Sequence, residues 1–308
     1  MALSADVPGS MGRYSGDMVS IAVCGVPMYY ISCRTGLTLH WWGLGGDGMG
    51  EQSFTYESWA VSDKGRVRQL NEDRYFIERT AKGGLWVVAD GMGGHDAGEV
   101  ASSLIIDRMA TVGVPSSATD QHARVVDRLI RANEELQDYS QQRGGATVGS
   151  TFVSLLVYEG EYRCLWLGDS RLYLIRKGAL QQISKDHSEV RELIDRGLLT
   201  PEEARSSPRR NIITRAVGVH SEIEVDVAYG RIEAGDSYVL CSDGLTAHCT
   251  DEDILEAVKG RKAKEACRLL VEQALERGGT DNVTVVIVRS RDAESTVPIG
   301  ALEMTPTQ

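Results

Sequence analysis

Four apolar runs in this chain are each punctuated by an aspartate. Leu85-Trp86-Val87-Val88-Ala89 leads into Asp90, Cys164-Leu165-Trp166-Leu167-Gly168 into Asp169, and Ser237-Tyr238-Val239-Leu240-Cys241-Ser242 into Asp243. Asp281 stands just before Val283-Thr284-Val285-Val286-Ile287-Val288, and a further pair, Glu72-Asp73, precedes Tyr75-Phe76-Ile77. Runs this short, rich in β-branched and aromatic residues, read as strands. Strand ends are rigid, so carboxylates gathered on one rim of a sheet repel one another. A hard divalent cation relieves that repulsion, and ligands that are all oxygen suit Mg²⁺ or Mn²⁺. The pattern points to a metal-dependent hydrolase.

Strands are expected over 54–62, 73–78, 84–89, 147–158, 162–168, 171–176, 223–229, 236–242 and 283–289. Helices are expected over 97–112, 120–141, 188–196, 201–206, 251–259 and 262–277. In 120–141, Val125, Leu129, Ile130, Asn133 and Leu136 fall at helical spacing with charges between them, as in a helix covering a sheet. Strands come in consecutive groups rather than in strict alternation with helices. The expected class is therefore α+β, antiparallel sheets in a layered sandwich with helices outside.

The 308 residues suffice for one large domain or two small ones. Residues 1–52, with Gly43-Leu44-Gly45-Gly46-Asp47-Gly48, read as a poorly ordered N-terminal extension. A single domain is expected over 53–291, and a polar tail over 292–308. The net charge of −11 suits a protein that holds cations and argues against a nucleic-acid partner. The stretch from Ile21 to Cys33 is too short to span a bilayer, and the N-terminus lacks the basic start and clean apolar run of a secretory signal. The six cysteines form no CxxC pair and no zinc-like cluster with histidines, which fits a reducing compartment. The expectation is a cytoplasmic protein without membrane association, monomeric by default.

Several motifs carry the chemistry. In Asp90-Gly91-Met92-Gly93-Gly94-His95 the glycines let the backbone turn sharply and approach a ligand closely, and the Gly91 carbonyl is a further candidate metal ligand. The same letters also describe an ordinary turn capped by an acid. Asp243-Gly244 and Asp281-Asn282 are common turn pairs taken singly; their repetition at the ends of apolar strands gives them weight. Arg68, five residues before Asp73, is the candidate fork for phosphate oxygens. His95 is either a proton donor to a leaving oxygen or a histidine at a helix start. Asp169-Ser170-Arg171 either adds a metal ligand or caps a hairpin.

Taken in order, these blocks resemble the metal-dependent protein serine/threonine phosphatases known as the PPM or type 2C family. The resemblance runs from about Ser53 to Arg289. It includes Gly65-Arg66-Val67-Arg68-Gln69-Leu70-Asn71-Glu72-Asp73, the Asp90 block, and Gly145-Ala146-Thr147-Val148-Gly149-Ser150-Thr151. It continues with Gly168-Asp169-Ser170-Arg171, Ser242-Asp243-Gly244-Leu245 and Thr280-Asp281-Asn282-Val283-Thr284. The form of the second block is similar to bacterial members.

The resemblance implies a four-layer α-β-β-α sandwich of two antiparallel sheets flanked by helix pairs. It implies two core Mn²⁺ or Mg²⁺ ions held by Asp73, Asp90, Asp243 and Asp281, with Asp90 bridging and Gly91 offering its carbonyl. Asp169 would help hold a third, weaker metal, and Arg68 would grip the substrate phosphate. Animal relatives carry histidine directly after Asp-Gly, where this chain has Met92, so the general acid is either His95 or water. The implied reaction is hydrolysis of phosphoserine and phosphothreonine in proteins by a metal-activated water, opposing a bacterial Ser/Thr kinase.

The segment from Lys185-Asp186-His187-Ser188 to Arg215-Ala216-Val217-Gly218 resembles the mobile flap of bacterial members. Arg205, Arg209, Arg210 and Arg215 make it locally basic, either to guide a phosphorylated loop or as a solvated helix surface. Pro208-Arg209-Arg210-Asn211 is also similar to phosphatases linked to type VI secretion. Two competing classes remain. A metal-dependent nuclease would want a basic groove, which the acidic charge disfavours. A non-catalytic phosphoprotein binder would have lost ligands, yet all four core aspartates are present.

Overall fold

The computed structural model describes residues 20–23, 26–29, 53–94, 96–209 and 211–293. Within the first 52 residues it describes one antiparallel ribbon, β1 (Ser20–Val23) on β2 (Val26–Tyr29).

From Phe54 onward two sheets face each other. The first has the order β11-β8-β7-β5-β4, built from β4 (Asp73–Thr80), β5 (Gly83–Gly93), β7 (Phe152–Tyr158), β8 (Glu161–Leu167) and β11 (Asp226–Arg231). A short β6 (Val148–Ser150) pairs with the far end of β5. The second has the order β10-β9-β12-β13-β3, built from β3 (Phe54–Asp63), β9 (Arg171–Arg176), β10 (Ala179–Gln182), β12 (Ser237–Cys241) and β13 (Val283–Asp292). Every pairing is antiparallel. Helices α1 (Ala97–Met109) and α2 (Ala118–Gln142) cover the first sheet, and α6 (Asp251–Val258) and α7 (Ala263–Glu276) cover the second.

The period-two alternation of strands explains why four layers form. In β5, Trp86 and Val88 point between the sheets, while Leu85, Val87 and Ala89 meet α1 and α2. In β13, Val286 and Val288 join the middle layer, and Val283, Val285 and Ile287 meet α7. A strand buried on both faces reads as a continuous apolar run, which is the form these segments take. Three apolar layers result, and the expected sandwich is observed.

Details differ from expectation. The strand expected over 147–158 breaks at Thr151, because β6 pairs with β5 while β7 continues in the sheet. The last strand of the first sheet begins at Asp226, not at 223. Strand β10, Ala-Leu-Gln-Gln, lacks an apolar pattern, and the one-turn α5 (Asp243–Thr246) is too short to show a periodicity. In α2, Val125, Leu129, Asn133 and Leu136 are buried as expected, but Ile130 faces out. Cys164, Cys241, Cys249 and Cys267 are buried and unpaired. Among the described residues, no helix is long and apolar enough to cross a membrane.

Candidate metal centre

Asp73 opens β4 and Asp90 lies in β5, and the antiparallel register sets them directly opposite each other. Residues so paired have Cβ atoms about 4.5–5.5 Å apart, and like charges there are destabilising. Asp243 starts α5 where β12 ends, and Asp281 lies in the turn before β13. Ser242 joins the two sheets at this rim: its Oγ donates to Asp73 Oδ2 at 2.7 Å and accepts from the Thr284 amide at 3.0 Å. Asp169 follows β8, and its buried carboxylate interacts electrostatically with Asp90 and Asp243. The five aspartates named from the sequence therefore share one rim.

The Asp90 block does not turn sharply, as its glycines led one to expect. Strand β5 runs on through Gly93, pairing Gly91 with Ser150 and Met92 with Gly149. The requirement at Gly91 is closeness: a Cβ there would lie 2.0 Å from the Gly98 carbonyl oxygen at the start of α1. Asp90 is fixed by Thr151, whose Oγ1 accepts from the Asp90 amide at 3.0 Å and whose amide donates to the Asp90 carbonyl at 2.9 Å.

Arg68 donates from Nη2 to Asp281 Oδ2 at 2.7 Å, with half of its side chain exposed beside the rim. That bond holds the guanidinium firmly charged, its pKa raised further above its ordinary value. Glu72, which sequence reasoning grouped with Asp73, does other work. Its carboxylate lies against the start of α1, with Oε1 2.5 Å from where a Cβ on Gly98 would stand, and the N-cap of that helix, Asp96, makes no side-chain bond.

Asn282 was legible only as a turn residue, yet it organises the approach. Its Nδ2 donates to the Lys64 and Leu70 carbonyls, both at 2.8 Å, and its Oδ1 accepts from the Glu72 amide at 2.8 Å. The loop carrying Arg68 is thereby stapled to the Asp281 turn. Nothing in the Asp-Asn pair distinguishes this role from a common turn.

Arg171 forks onto Asp186, with Nη2 to Oδ2 at 2.6 Å and Nε to Oδ1 at 2.9 Å, so it braces the chain after Asp169. Two of the four flap arginines are paired, and the Arg205 side chain lies outside what the structure describes. Arg209 pairs with Glu189, and Arg215 pairs with Asp226 at 3.2 Å and Glu224 at 3.7 Å. Arg210 and His95 lie outside the described residues.

The electrostatics are those of an anionic cluster without enough cations. Burial first, then repulsion from Asp73, Asp243, Asp169 and Asp281, holds the Asp90 carboxyl well above the usual carboxylate range. Burial first, then neighbouring carboxylates, raises Asp73 to about 7, Asp169 to about 8 and Asp243 to about 6. Asp73 Oδ1 and Asp169 Oδ1 are buried without any hydrogen-bond partner. A buried carboxylate oxygen left without a partner is costly and calls for a cation.

Among the described residues, no three acidic, histidine or cysteine side chains form a ready cage around one point. A cavity of about 270 Å³, lined by Leu167, Arg215, His220 and Ile223 among others, includes none of the rim carboxylates.

Comparison with known proteins agrees with this geometry. The protein phosphatase 2C family model matches residues 64–277. The chain is 41% identical over 244 residues to the serine/threonine protein phosphatase PstP of Mycobacterium tuberculosis, covering 78% of this chain and 46% of that protein. It thus spans under half the length of that relative. PppA of Pseudomonas aeruginosa, a key regulatory component of T6SS there, superposes with a TM-score of 0.70 at 40% identity, over 76% of this chain and 97% of that one. The PstP catalytic domain in complex with two manganese ions superposes with a TM-score of 0.68 at 38% identity, over 78% of this chain and 100% of that one. With its sandwich, its carboxylate rim and a family match across most of its length, the chain belongs to the protein phosphatase 2C family.

Proposed function

We propose that the chain hydrolyses phosphoserine and phosphothreonine in proteins, acting on targets of a bacterial Ser/Thr kinase. The observation that carries this reading is the rim itself, where Asp73, Asp90, Asp243 and Asp281 converge and Arg68 is held on Asp281. Two Mn²⁺ or Mg²⁺ ions, when bound there, supply the Lewis acidity that brings water's pKa toward neutrality. Asp73, Asp90, Asp243 and Asp281, with the Gly91 carbonyl, are the residues that would hold them. Asp169, one oxygen of which lacks a partner, is assigned to a third ion.

Arg68 keeps donors free beyond its one bond to Asp281, and these orient the phosphate. Proton delivery to the leaving serine or threonine oxygen is assigned to His95 or water. PstP, a serine/threonine protein phosphatase at 41% identity, supports this reaction, and the equal likeness to PppA at 40% favours no single cellular process.

The test is phosphate release from a phosphothreonine peptide by wild type and Asp90→Asn, with Mn²⁺ and with EDTA. Release that requires both Mn²⁺ and Asp90 is expected. Release that survives either loss would remove the metal mechanism. No release from folded, metal-loaded protein would favour the phosphoprotein-binding reading.

A further inference from the structure

The chain from Lys185 to Val217 leaves the second sheet after β10 and returns beside the first, and both of its ends close on one residue, His187. The residue is buried, 7% exposed. Its Nδ1 accepts from the Gly168 amide at 3.2 Å, and its own amide donates to the Gly168 carbonyl at 2.9 Å. Because Nδ1 accepts a backbone proton, the neutral ring carries its hydrogen on Nε2. Nε2 faces Asp226 Oδ2 at 3.2 Å, and Asp226 Oδ1 accepts from Arg215 at the flap's return at 3.2 Å. The Thr214 amide donates to the His187 carbonyl at 2.9 Å, and Ser188 bridges to Ile213. Trp166 stacks on the ring at 6.2 Å, and its Nε1 donates to the Lys185 carbonyl at 2.8 Å.

What His187 grips is the residue before Asp169. Gly168 has φ +103°, a backbone shape that L side chains rarely adopt, and a Cβ there would lie 2.7 Å from Thr151 Cγ2. The peptide that aims Asp169 is therefore set by an unusual conformation, and His187 holds both its N–H and its C=O. We propose that His187 is a positioning residue for the Asp169 site. It fixes the Gly168–Asp169 peptide and locks both ends of the flap to it, so order across residues 188–213 and Mn²⁺ occupancy at Asp169 depend on each other. The proposal rests on the metal-dependent reading of the rim.

The test is hydrogen exchange of the amides in 188–213, on the full chain, as Mn²⁺ is titrated. In wild type, Mn²⁺ slows exchange across the segment. In His187→Ala the Mn²⁺ concentration for half-maximal protection rises about tenfold or more, as when a group orienting a metal ligand is removed. His187→Asn keeps an acceptor near the Gly168 amide but cannot reach Asp226, and its midpoint rises about threefold, within the same reasoning. It serves alone where the alanine variant fails to fold. An unchanged midpoint in either folded variant overturns the proposal, and lowered thermal stability with that unchanged midpoint marks a purely structural residue. No Mn²⁺ effect on exchange in wild type overturns it too. Exchange is read without turnover, so a failure to hydrolyse phosphopeptide would sink the phosphatase reading and leave this result interpretable.

Discussion

Asp73 and Asp236 are equally buried, each 1% exposed, and they stand at opposite ends of β12. Their surroundings differ in kind. Asp236 receives Arg176 on both oxygens, Nε to Oδ1 at 2.8 Å and Nη2 to Oδ2 at 2.6 Å, and also the Glu233 amide at 2.8 Å. Asp73 receives the Ser242 hydroxyl on one oxygen, nothing on the other, and faces Asp90 across the ladder. A buried carboxylate with its own arginine is a finished structural pair. A buried carboxylate with an orphan oxygen and an anionic neighbour is a cation site in waiting. Burial is common to both, so the partner, not the burial, distinguishes function from architecture.

The largest effect separates the two aspartates by readout. Asp73→Asn is expected to cut phosphopeptide turnover about a thousandfold, equivalent to about 4 kcal/mol of transition-state stabilisation. Its metal-free form stays as stable as wild type, because a repulsive charge is removed. Asp236→Asn is expected to cost about 3 kcal/mol of stability, as when a buried ion pair loses one partner. For a domain of this size that lowers Tm by about 10 °C, while turnover at 25 °C changes little. Steady-state kinetics with Mn²⁺ and thermal melts in EDTA measure both. An inverted pattern would break the comparison.

Next comes pH dependence of the metal-free fold. Asp243, Asp73 and Asp169 are held at about 6, 7 and 8, against about 4 for a carboxyl in an unfolded chain. Between those values the folded state binds more protons than the unfolded one, so this stability is full below about pH 4 and is lost as pH rises through about 8. In EDTA, Tm should fall by several degrees from pH 5 to pH 8, and saturating Mn²⁺ should remove the fall. Asp73→Asn should shrink it and Asp236→Asn should leave it intact. A flat EDTA profile would mean the rim is already neutralised without metal.

The contrast also shows what the sequence could carry. The rim aspartates were legible because an acid beside a β-run is a local pattern, and it recurs five times, after the run at Asp90, Asp169 and Asp243 and before it at Asp73 and Asp281. The sandwich was legible because strands buried on both faces are written as unbroken apolar runs. What pairs with an aspartate is not local. Arg176 reaches Asp236 across 60 residues, Ser242 reaches Asp73 across 169, and Asn282 reaches Leu70 across 212. The partners of Arg209 and Arg215 were hidden for the same reason, since Glu189 and Asp226 meet them only once the segment folds back. Continuation of β5 through Gly93 was hidden because glycine marks both turns and close backbone contacts.

The two arginines sharpen the comparison further. Arg176 is 14% exposed and forks onto Asp236, whereas Arg68 is 53% exposed and makes one bond to Asp281. Arg68→Ala should raise KM for a phosphopeptide about tenfold, with Tm moving by about 1 °C or less, as expected for an exposed pair. Arg68→Lys should restore only part of this, since a single ammonium lacks the fork. Arg176→Ala should do the reverse, lowering Tm and sparing KM. A rise in KM for Arg176→Ala would mean that the far end of the sandwich reaches the rim.

The smallest effects come from single hydroxyls. Ser242 Oγ serves Asp73 and the Thr284 amide in a fully buried position. Ser242→Ala leaves that amide without an acceptor and takes away the hydroxyl bond to the Asp73 carboxylate, which should cost about 1–2 kcal/mol. Tyr238 OH makes a fourth hydrogen bond to the Asp236 carboxylate at 3.3 Å, longer than the other three. Because Arg176 and the Glu233 amide remain, Tyr238→Phe should cost about 0.5 kcal/mol. The pair also differs in metal response. Saturating Mn²⁺ should recover part of the Ser242→Ala loss, since an ion takes up the exposed oxygens of Asp73, and none of the Tyr238→Phe loss. Denaturant melts with and without Mn²⁺ give both differences, and equal recovery in the two variants would mean that Asp73 is no closer to the ion than Asp236.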